Sequence, residues 1–248
     1  METIEEIGFG GLKIIQDSEG FRFGVDSIII ADFANTLYPD ARNVCDLGTG
    51  NGIIPVVLSH KNDKCEILGI DVQQRAIELA QRNAEINGLR DRLASLCIDV
   101  NALKEQKPQL GGRFDAVITN PPYVEAGGGL ASADSAKRIA RQETTADLEE
   151  FIKNAAWLLA DRGHFFIVHR PARLADIFCH CRKYGLEPKH MRLVTPHEGE
   201  TPNIVMVHCV RGAGRELKMM RELAVRETDG KYTREIDAIY ERQKAPKR

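Results

Sequence analysis

Short apolar runs recur along the chain, with polar, helix-compatible segments between them. The runs are "NVCDLG" (43–48), "CEILGID" (65–71), "LASLCID" (93–99), "FDAVITN" (114–120) and "GHFFIVH" (163–169). Their length and their spacing of roughly 20–50 residues read as buried strands joined by crossover helices. Between the second and third runs, "QQRAIELAQRNAEINGL" puts Ala76, Leu79, Ala80, Asn83, Ala84 and Ile86 near one helical face, with Gly88 as the expected C-cap. "FIKNAAWLLA" reads as another helix, with Trp157 in the core. Strand-helix repetition of this kind predicts a parallel, doubly wound sheet covered on both faces.

After the fifth run the rhythm changes. "ARLADIFCHCRKYG" is helical and ends at Gly185, but "LEPKHMRLVTP" and "NIVMVHCV" follow with only a loop between them. Two strands without an intervening helix predict an antiparallel hairpin at the sheet edge. The expected fold is therefore α/β and Rossmann-like: a seven-stranded, mostly parallel sheet with a C-terminal antiparallel hairpin and helices on both faces. That plan resembles class I methyltransferases and not dinucleotide dehydrogenases. Residues 1–248 read as a single domain, with 1–42 an N-terminal extension beside a cofactor site and 211–248 a closing tail.

The candidate chemistry lies at the carboxyl ends of the runs, where open α/β sheets bind ligands. "DLGTGNG" follows the first run and precedes a helix, and Gly48, Gly50 and Gly52 allow tight backbone turns close to a ligand. The spacing is G-x-G-x-G, not the G-x-G-x-x-G of dinucleotide sites, and the loop carries no lysine for a phosphate. Asp71 ends the second run, placed to accept from two ribose hydroxyls or, alternatively, to cap a helix. Asp99 closes the third at matching height, within reach of an adenine amine. Asp46 precedes the glycines, where it could orient the loop or hold an ammonium through water. Adenosine plus a charged amino acid without phosphate describes S-adenosylmethionine.

The fourth run stops on Asn120-Pro121-Pro122-Tyr123. The Asn120 side-chain oxygen and the Pro121 carbonyl form a pair of acceptors for the N–H bonds of a planar amide or arylamine. Pro122 stiffens the carbonyl's direction, and Tyr123 offers a stacking face worth about 1–3 kcal/mol per base. Methyl transfer to such a nitrogen needs collinear positioning more than acid–base help.

On these stretches the chain resembles the bacterial tRNA1(Val) adenine-N6 methyltransferases, which modify the adenine 3′ of the anticodon. "DLGTGNG", "GID" and "NPPY" are common to many amino-methyltransferases; "GFRFGVDSIIIADFA" (20–34) and "TDGKYTREIDAIY" (228–240) are more particular. The resemblance implies a tRNA substrate, S-adenosylmethionine as cofactor, adenine held by Asn120 to Tyr123, and Phe23, Gly24 and Asp26 bordering the methionine end of the cofactor. It departs at Val25, where relatives are expected to carry threonine. Alternatives are glutamine methylation of a release factor, ribosomal RNA or DNA amino-methylation, and a non-catalytic RNA-binding protein of the same fold. The release-factor enzymes carry some 70 further residues ahead of the glycine loop.

Charge changes the picture only locally. The total is −2, so a nucleic-acid surface must come from clustering. Residues 162–192 carry seven Lys/Arg, Arg170 and Arg192 among them, against Asp176 and Glu187; residues 211–248 carry eleven against seven acids. Lys137, Arg138 and Arg141 follow a glycine run just after Tyr123. These are the expected RNA contacts. Cys45, Cys65 and Cys97 read as core residues. Cys179, His180 and Cys181 lack the spacing of a zinc pair, so no metal is expected. His164, His169, His180 and His190 read as packing or phosphate-adjacent groups. No secretory leader or membrane span is read, which predicts a cytoplasmic protein, favoured as a monomer.

Overall fold

The computed structural model describes residues 2–9, 11–17, 24–123 and 147–241. The chain begins with a small hairpin, β1 (Glu2–Glu6) and β2 (Lys13–Asp17), paired antiparallel and separate from the main sheet. Then come α1 (Val25–Leu37), β3 (Asn43–Leu47), α2 (Ile53–Lys61), β4 (Glu66–Asp71), α3 (Gln74–Ile86), β5 (Leu93–Cys97), the short α4 (Leu103–Gln106) and β6 (Phe114–Thr119). The second half holds α5 (Leu148–Leu158), β7 (Leu159–His169), α6 (Leu174–Lys183), β8 (Leu186–His197), β9 (Ile204–Arg211), β10 (Lys218–Met219), β11 (Leu223–Arg226) and α7 (Arg234–Ile239).

Among the described residues, nine strands make the main sheet in the order β10-β8-β9-β7-β6-β3-β4-β5, with β11 also on β8. Strands β5, β4, β3, β6 and β7 run parallel, and β9 inserts antiparallel between β7 and β8. The doubly wound plan and the antiparallel hairpin are therefore present. The expectation of seven strands falls short by β10 and β11, which pair parallel with the outer side of β8 and cover the edge on which the hairpin was expected to end. Two- and four-residue strands are too short to show an alternating pattern, which is why sequence periodicity misses them.

Apolar side chains fill both sides of the sheet. One core gathers Ile28, Ile29 and Phe33 of α1 with Val56 and Val57 of α2 and Ile236 of α7; the other gathers Phe151, Ile152 and Ala155 of α5 with Ile177 and Cys181 of α6. In α3 the buried apolar positions are Ile77, Leu79, Ala80 and Ala84, while Ile86 is exposed. The predicted face is thus rotated: Ile77 replaces Ala76 and Ile86 because the helix leans on β5 and β2 as well as β4. Cys97 is exposed, not core, since β5 is the sheet's other edge. Trp157 is half-buried; it flanks the second core and leaves no room for a Cβ at Gly111. Asp147 caps α5 by accepting the Glu150 N–H at 3.0 Å, half of an N-terminal capping pair.

The N-terminal hairpin is anchored by two amides, one in α3 and one at its C-cap. Asn83 is fully buried; its oxygen accepts the Ile15 N–H (2.7 Å), and its nitrogen donates to the carbonyls of Ile15 (3.2 Å) and Asn51 (2.8 Å). Asn87 brackets Lys13 in the same way. A polar residue on the buried face thus satisfies hairpin and glycine-loop backbone at once. Among the described residues no helix is long and apolar enough to cross a membrane.

Candidate active site

Strand β3 ends at Leu47, and the next two backbone N–H groups, of Gly48 and Thr49, both donate to the Ile70 carbonyl at 2.8 and 2.9 Å. This folds the loop over the end of β4. Gly48, Gly50 and Gly52 all take positive φ (76°, 55° and 81°), a region that other L-residues enter only with strain. At Gly52 there is also no space, since a Cβ would stand 3.1 Å from the Ala80 Cβ and 3.2 Å from its Cα. Asp71 clamps the loop from below. Its carboxylate accepts the N–H of Gly50 and of Gln73, each at 2.9 Å, and Gln73, not Asp71, is the N-cap of α3. Burial raises the Asp71 carboxyl above its usual range, opposed by these backbone donors.

Asp46 is fully buried, and among the described residues neither of its oxygens has a hydrogen-bond partner; the Thr49 hydroxyl is likewise unpartnered. Burial pushes the Asp46 carboxyl up to about 7; the nearby Thr49 hydroxyl opposes the shift and the Asp71 charge adds to it. An unpaired buried carboxylate is costly unless a cation arrives to compensate it. The groups present therefore fit S-adenosylmethionine: an orphaned carboxylate for its ammonium, a glycine loop without cations, and Asp71 at the end of β4. Asp99 lies two residues past the end of β5, where it caps a short 3-10 turn by accepting the Asn101 N–H at 2.8 Å.

Register brings the second half of the site alongside. Leu47 of β3 pairs with Thr119 of β6, and the Thr119 hydroxyl donates to the Leu47 carbonyl at 2.7 Å. Asn120 and Gly48 therefore leave neighbouring strands at the same height. The Asn120 amide is half-buried: its nitrogen donates to the Ser27 hydroxyl (3.2 Å), and its oxygen receives the Tyr123 hydroxyl (3.0 Å). That hydroxyl also lies 3.2 Å from an Asp26 carboxylate oxygen. Pro121 is buried. The Tyr123 ring meets the edge of His169 with centroids 4.8 Å apart, and the Arg170 guanidinium lies 5.0 Å over it. His169 accepts the Arg170 N–H at Nδ1 (2.8 Å), and burial, followed by the Arg173 charge, lowers its pKa to about 4, so it is neutral at physiological pH.

The Asn120 amide and the Tyr123 ring thus stand beside a glycine loop that holds a buried, unpartnered acid. The family model that matches residues 27–181 is described as the methyltransferase small domain, and it spans both halves of this site. The chain belongs to the methyltransferase small domain family. This methyltransferase is 26% identical over 232 residues, 93% of each chain, to the tRNA1(Val) (adenine(37)-N6)-methyltransferase of Tolumonas auensis. A protein of the same name from Flavobacteriaceae bacterium (strain 3519-10) is 29% identical over 160 residues, and the two chains span 64% of one another. A solved structure from Agrobacterium tumefaciens, described as a predicted O-methyltransferase, superposes with a TM-score of 0.70 at 23% identity over 87% of this chain and 95% of that one. That likeness concerns the fold.

The methyltransferase's predicted site residues divide by position. Asp46, Gly48, Gly50, Gly52, Asp71 and Asn120 to Tyr123 gather at one sheet edge, and Gly24 and Asp26 join them at the start of α1. Phe23, Lys137, Arg138 and Arg141 lie outside the described residues. Arg170 is exposed beside Tyr123. Arg192 is not free for phosphate: its side chain is 12% exposed, paired with Glu235 at 2.6 Å and donating to the Arg221 carbonyl at 2.9 Å. A count of charges along the chain takes no account of such partners. Ser27 and His169 were missed as site residues; a serine and a histidine at element ends carry no sequence signal without the contact between α1 and β6. Of the histidines, His164, His190 and His208 form a hydrogen-bonded ladder across β7, β9 and β8, with N···N distances of 2.9 and 3.0 Å.

Proposed function

We propose that this methyltransferase carries a methyl group from S-adenosylmethionine to the exocyclic N6 of an adenine in tRNA, the anticodon-loop adenine of tRNA-Val by likeness to its relatives. The observation that carries this reading is the braced Asn120–Tyr123 bracket, one residue beyond the strand pair that also launches the glycine loop. Bound S-adenosylmethionine supplies an electrophilic methyl on a sulfonium. Asp46 would hold its ammonium, and Asp71 its ribose hydroxyls through lone pairs not used by Gly50 and Gln73.

The amine is a poor nucleophile because its lone pair is delocalised into the ring. The Asn120 oxygen and Pro121 carbonyl accept from its two N–H bonds, which fixes the nitrogen and favours the pyramidal form. Tyr123 stacks on the base, and its ring is held from the side by His169 and across one face by Arg170. Burial raises the Tyr123 phenol far above its ordinary value, with Asp26 adding to the effect; the hydroxyl is therefore a donor and not a general base. No base is needed, since the product ammonium loses its proton to water. Arg170, exposed at the rim with one guanidinium nitrogen on the Asn203 carbonyl at 3.1 Å, would use its remaining N–H groups on the phosphate of an extruded nucleotide, whose unstacking costs a few kcal/mol.

The test incubates the purified protein with labelled cofactor and, in separate reactions, unmodified tRNA transcripts, ribosomal RNA and a release factor, followed by digestion and mass spectrometry. N6-methyladenosine at a single tRNA-Val position is expected. A label found only on a glutamine amide or on ribosomal RNA would overturn the substrate, and cofactor binding with no transfer to any RNA would overturn the activity.

A further inference from the structure

Tyr123 has one hydroxyl proton and two acceptors within reach: the Asn120 oxygen at 3.0 Å and the Asp26 Oδ2 at 3.2 Å. A proton given to Asn120 takes one of the two lone pairs of the oxygen that must receive the target amine, and draws off electron density that the amine's N–H would otherwise meet. We propose that Asp26 is a positioning residue: when the amine enters, the Tyr123 hydroxyl donates to Asp26 alone, leaving the Asn120 oxygen to accept from the substrate. The inference rests on the amine-transfer reading above and deepens it.

The local geometry carries this. The other Asp26 oxygen accepts the Ser27 backbone N–H at 3.0 Å, so the carboxylate is aimed by the first turn of α1. The same turn supplies the Ser27 hydroxyl, 2% exposed, to the Asn120 nitrogen at 3.2 Å. One helical turn therefore engages both the amide and, through Asp26, the phenol that competes for it. An amide whose nitrogen faces Ser27 turns its oxygen toward Tyr123. Gly24 leaves room for the arrangement, because a Cβ there would stand 2.5 Å from the Asp26 Oδ1.

The change requires only rotation of the phenolic O–H about its C–O bond. The ring itself stays between His169 and Arg170. A carboxylate is the stronger acceptor, because hydrogen bonds to ionised groups are shorter and stronger than neutral ones. In the free site the one hydroxyl proton is shared between the Asn120 and Asp26 oxygens; with substrate the amine N–H serves Asn120 and the hydroxyl is left to Asp26, so no group goes unpaired. This role differs from the contact with the methionine end of the cofactor that the family resemblance implies for Asp26. A cofactor contact would appear in cofactor affinity, whereas diversion of the hydroxyl appears in turnover.

The experiment is a double-mutant cycle of Asp26→Asn and Tyr123→Phe, read as kcat and KM on an unmodified tRNA-Val transcript and as S-adenosylmethionine Kd by calorimetry. D26N is expected to lower kcat about tenfold with the cofactor Kd within roughly twofold. Y123F keeps the ring and is expected to lose about threefold or less; D26N added to Y123F then costs under about twofold, since no hydroxyl remains to divert. Losses that multiply in the double variant overturn the proposal, as does a cofactor Kd raised about tenfold with kcat unchanged. Asp26→Ser is the second variant, with the same pattern expected, should D26N not fold. Wild type inactive on every RNA would overturn the substrate reading and this inference with it; multiplying losses in an active enzyme would overturn only the role of Asp26.

Discussion

The two halves of the site are built over different distances along the chain. The glycine loop is local: Asp46 through Gly52 turn between β3 and α2, and the residues that brace them, Ile70 and Asp71, end the very next strand. The amine bracket is not. Asn120 reaches Ser27 across 93 positions and Tyr123 reaches Asp26 across 97. A local loop can announce itself by spacing, because its conformational demands fall on consecutive residues. A bracket closed by distant partners can be read only in part: its strand-end half stands in the sequence, while the helix turn that orients it does not. The loop leaves its buried acid unpaired in the free protein, whereas the bracket is already hydrogen-bonded. The two halves should therefore respond oppositely to substitution.

The largest effect is expected in the bracket. Asn120→Ala should cut methyl transfer on the order of 10²–10³-fold, as loss of one preorganised group at a reacting centre does, with cofactor affinity nearly unchanged in calorimetry. A comparable loss of cofactor binding would mean that the two halves are not separable.

In the loop, Asp46→Asn should weaken S-adenosylmethionine binding roughly 10–100-fold, as loss of a charged hydrogen-bond partner does, yet stabilise the free protein. Burial raises the folded Asp46 carboxyl to about 7 from an ordinary 3.8, so the unfolded state ionises first and the free protein loses stability as pH rises from about 4 through 7. Such a shift costs roughly 4 kcal/mol at neutral pH. An amide recovers only part of it, a gain of about 1–3 kcal/mol, which thermal melts without ligand would reveal. An unstabilised D46N would show that the acid is paired in the free protein.

Acid stability separates the loop from the rest of the sheet. Burial, and then the neighbouring His164 and His190, lower the His208 pKa to about 3 from 6.5, and His169 falls to about 4. Here the unfolded chain takes up protons first. Stability is full above pH 6.5 and falls as the pH drops from there toward 3, at roughly 1.4 kcal/mol per pH unit per proton. Asp46 runs the other way between about pH 4 and 7, so chemical denaturation of D46N should show the histidine slope undiluted, and His208→Phe should flatten it.

The smallest effect is at the rim. Arg170→Ala should raise the KM for tRNA a few-fold and reduce the slope of log affinity against log salt by about 1, as loss of one phosphate contact does. An unchanged slope would reassign Arg170 to holding the Tyr123 ring alone.

The order of strands and helices, the glycine turn, the acids at successive strand ends and the strand that stops on Asn-Pro-Pro-Tyr all follow from short-range rules. Each depends on a backbone demand or a hydrophobic period confined to neighbouring residues, and the sequence by itself determines them. The short strands β10 and β11, the burial of Ile77 instead of Ile86, the exposed Cys97 at an edge and the Arg192–Glu235 pair were decided by tertiary packing. So were the partners of Asn120: Ser27, Asp26 and the His169–Arg170 pair come together only because α1 and the ends of β6 and β7 share one edge of the sheet. Hydrogen bonds and desolvation act across space, and a sequence records neither the distance nor the water that folding removes.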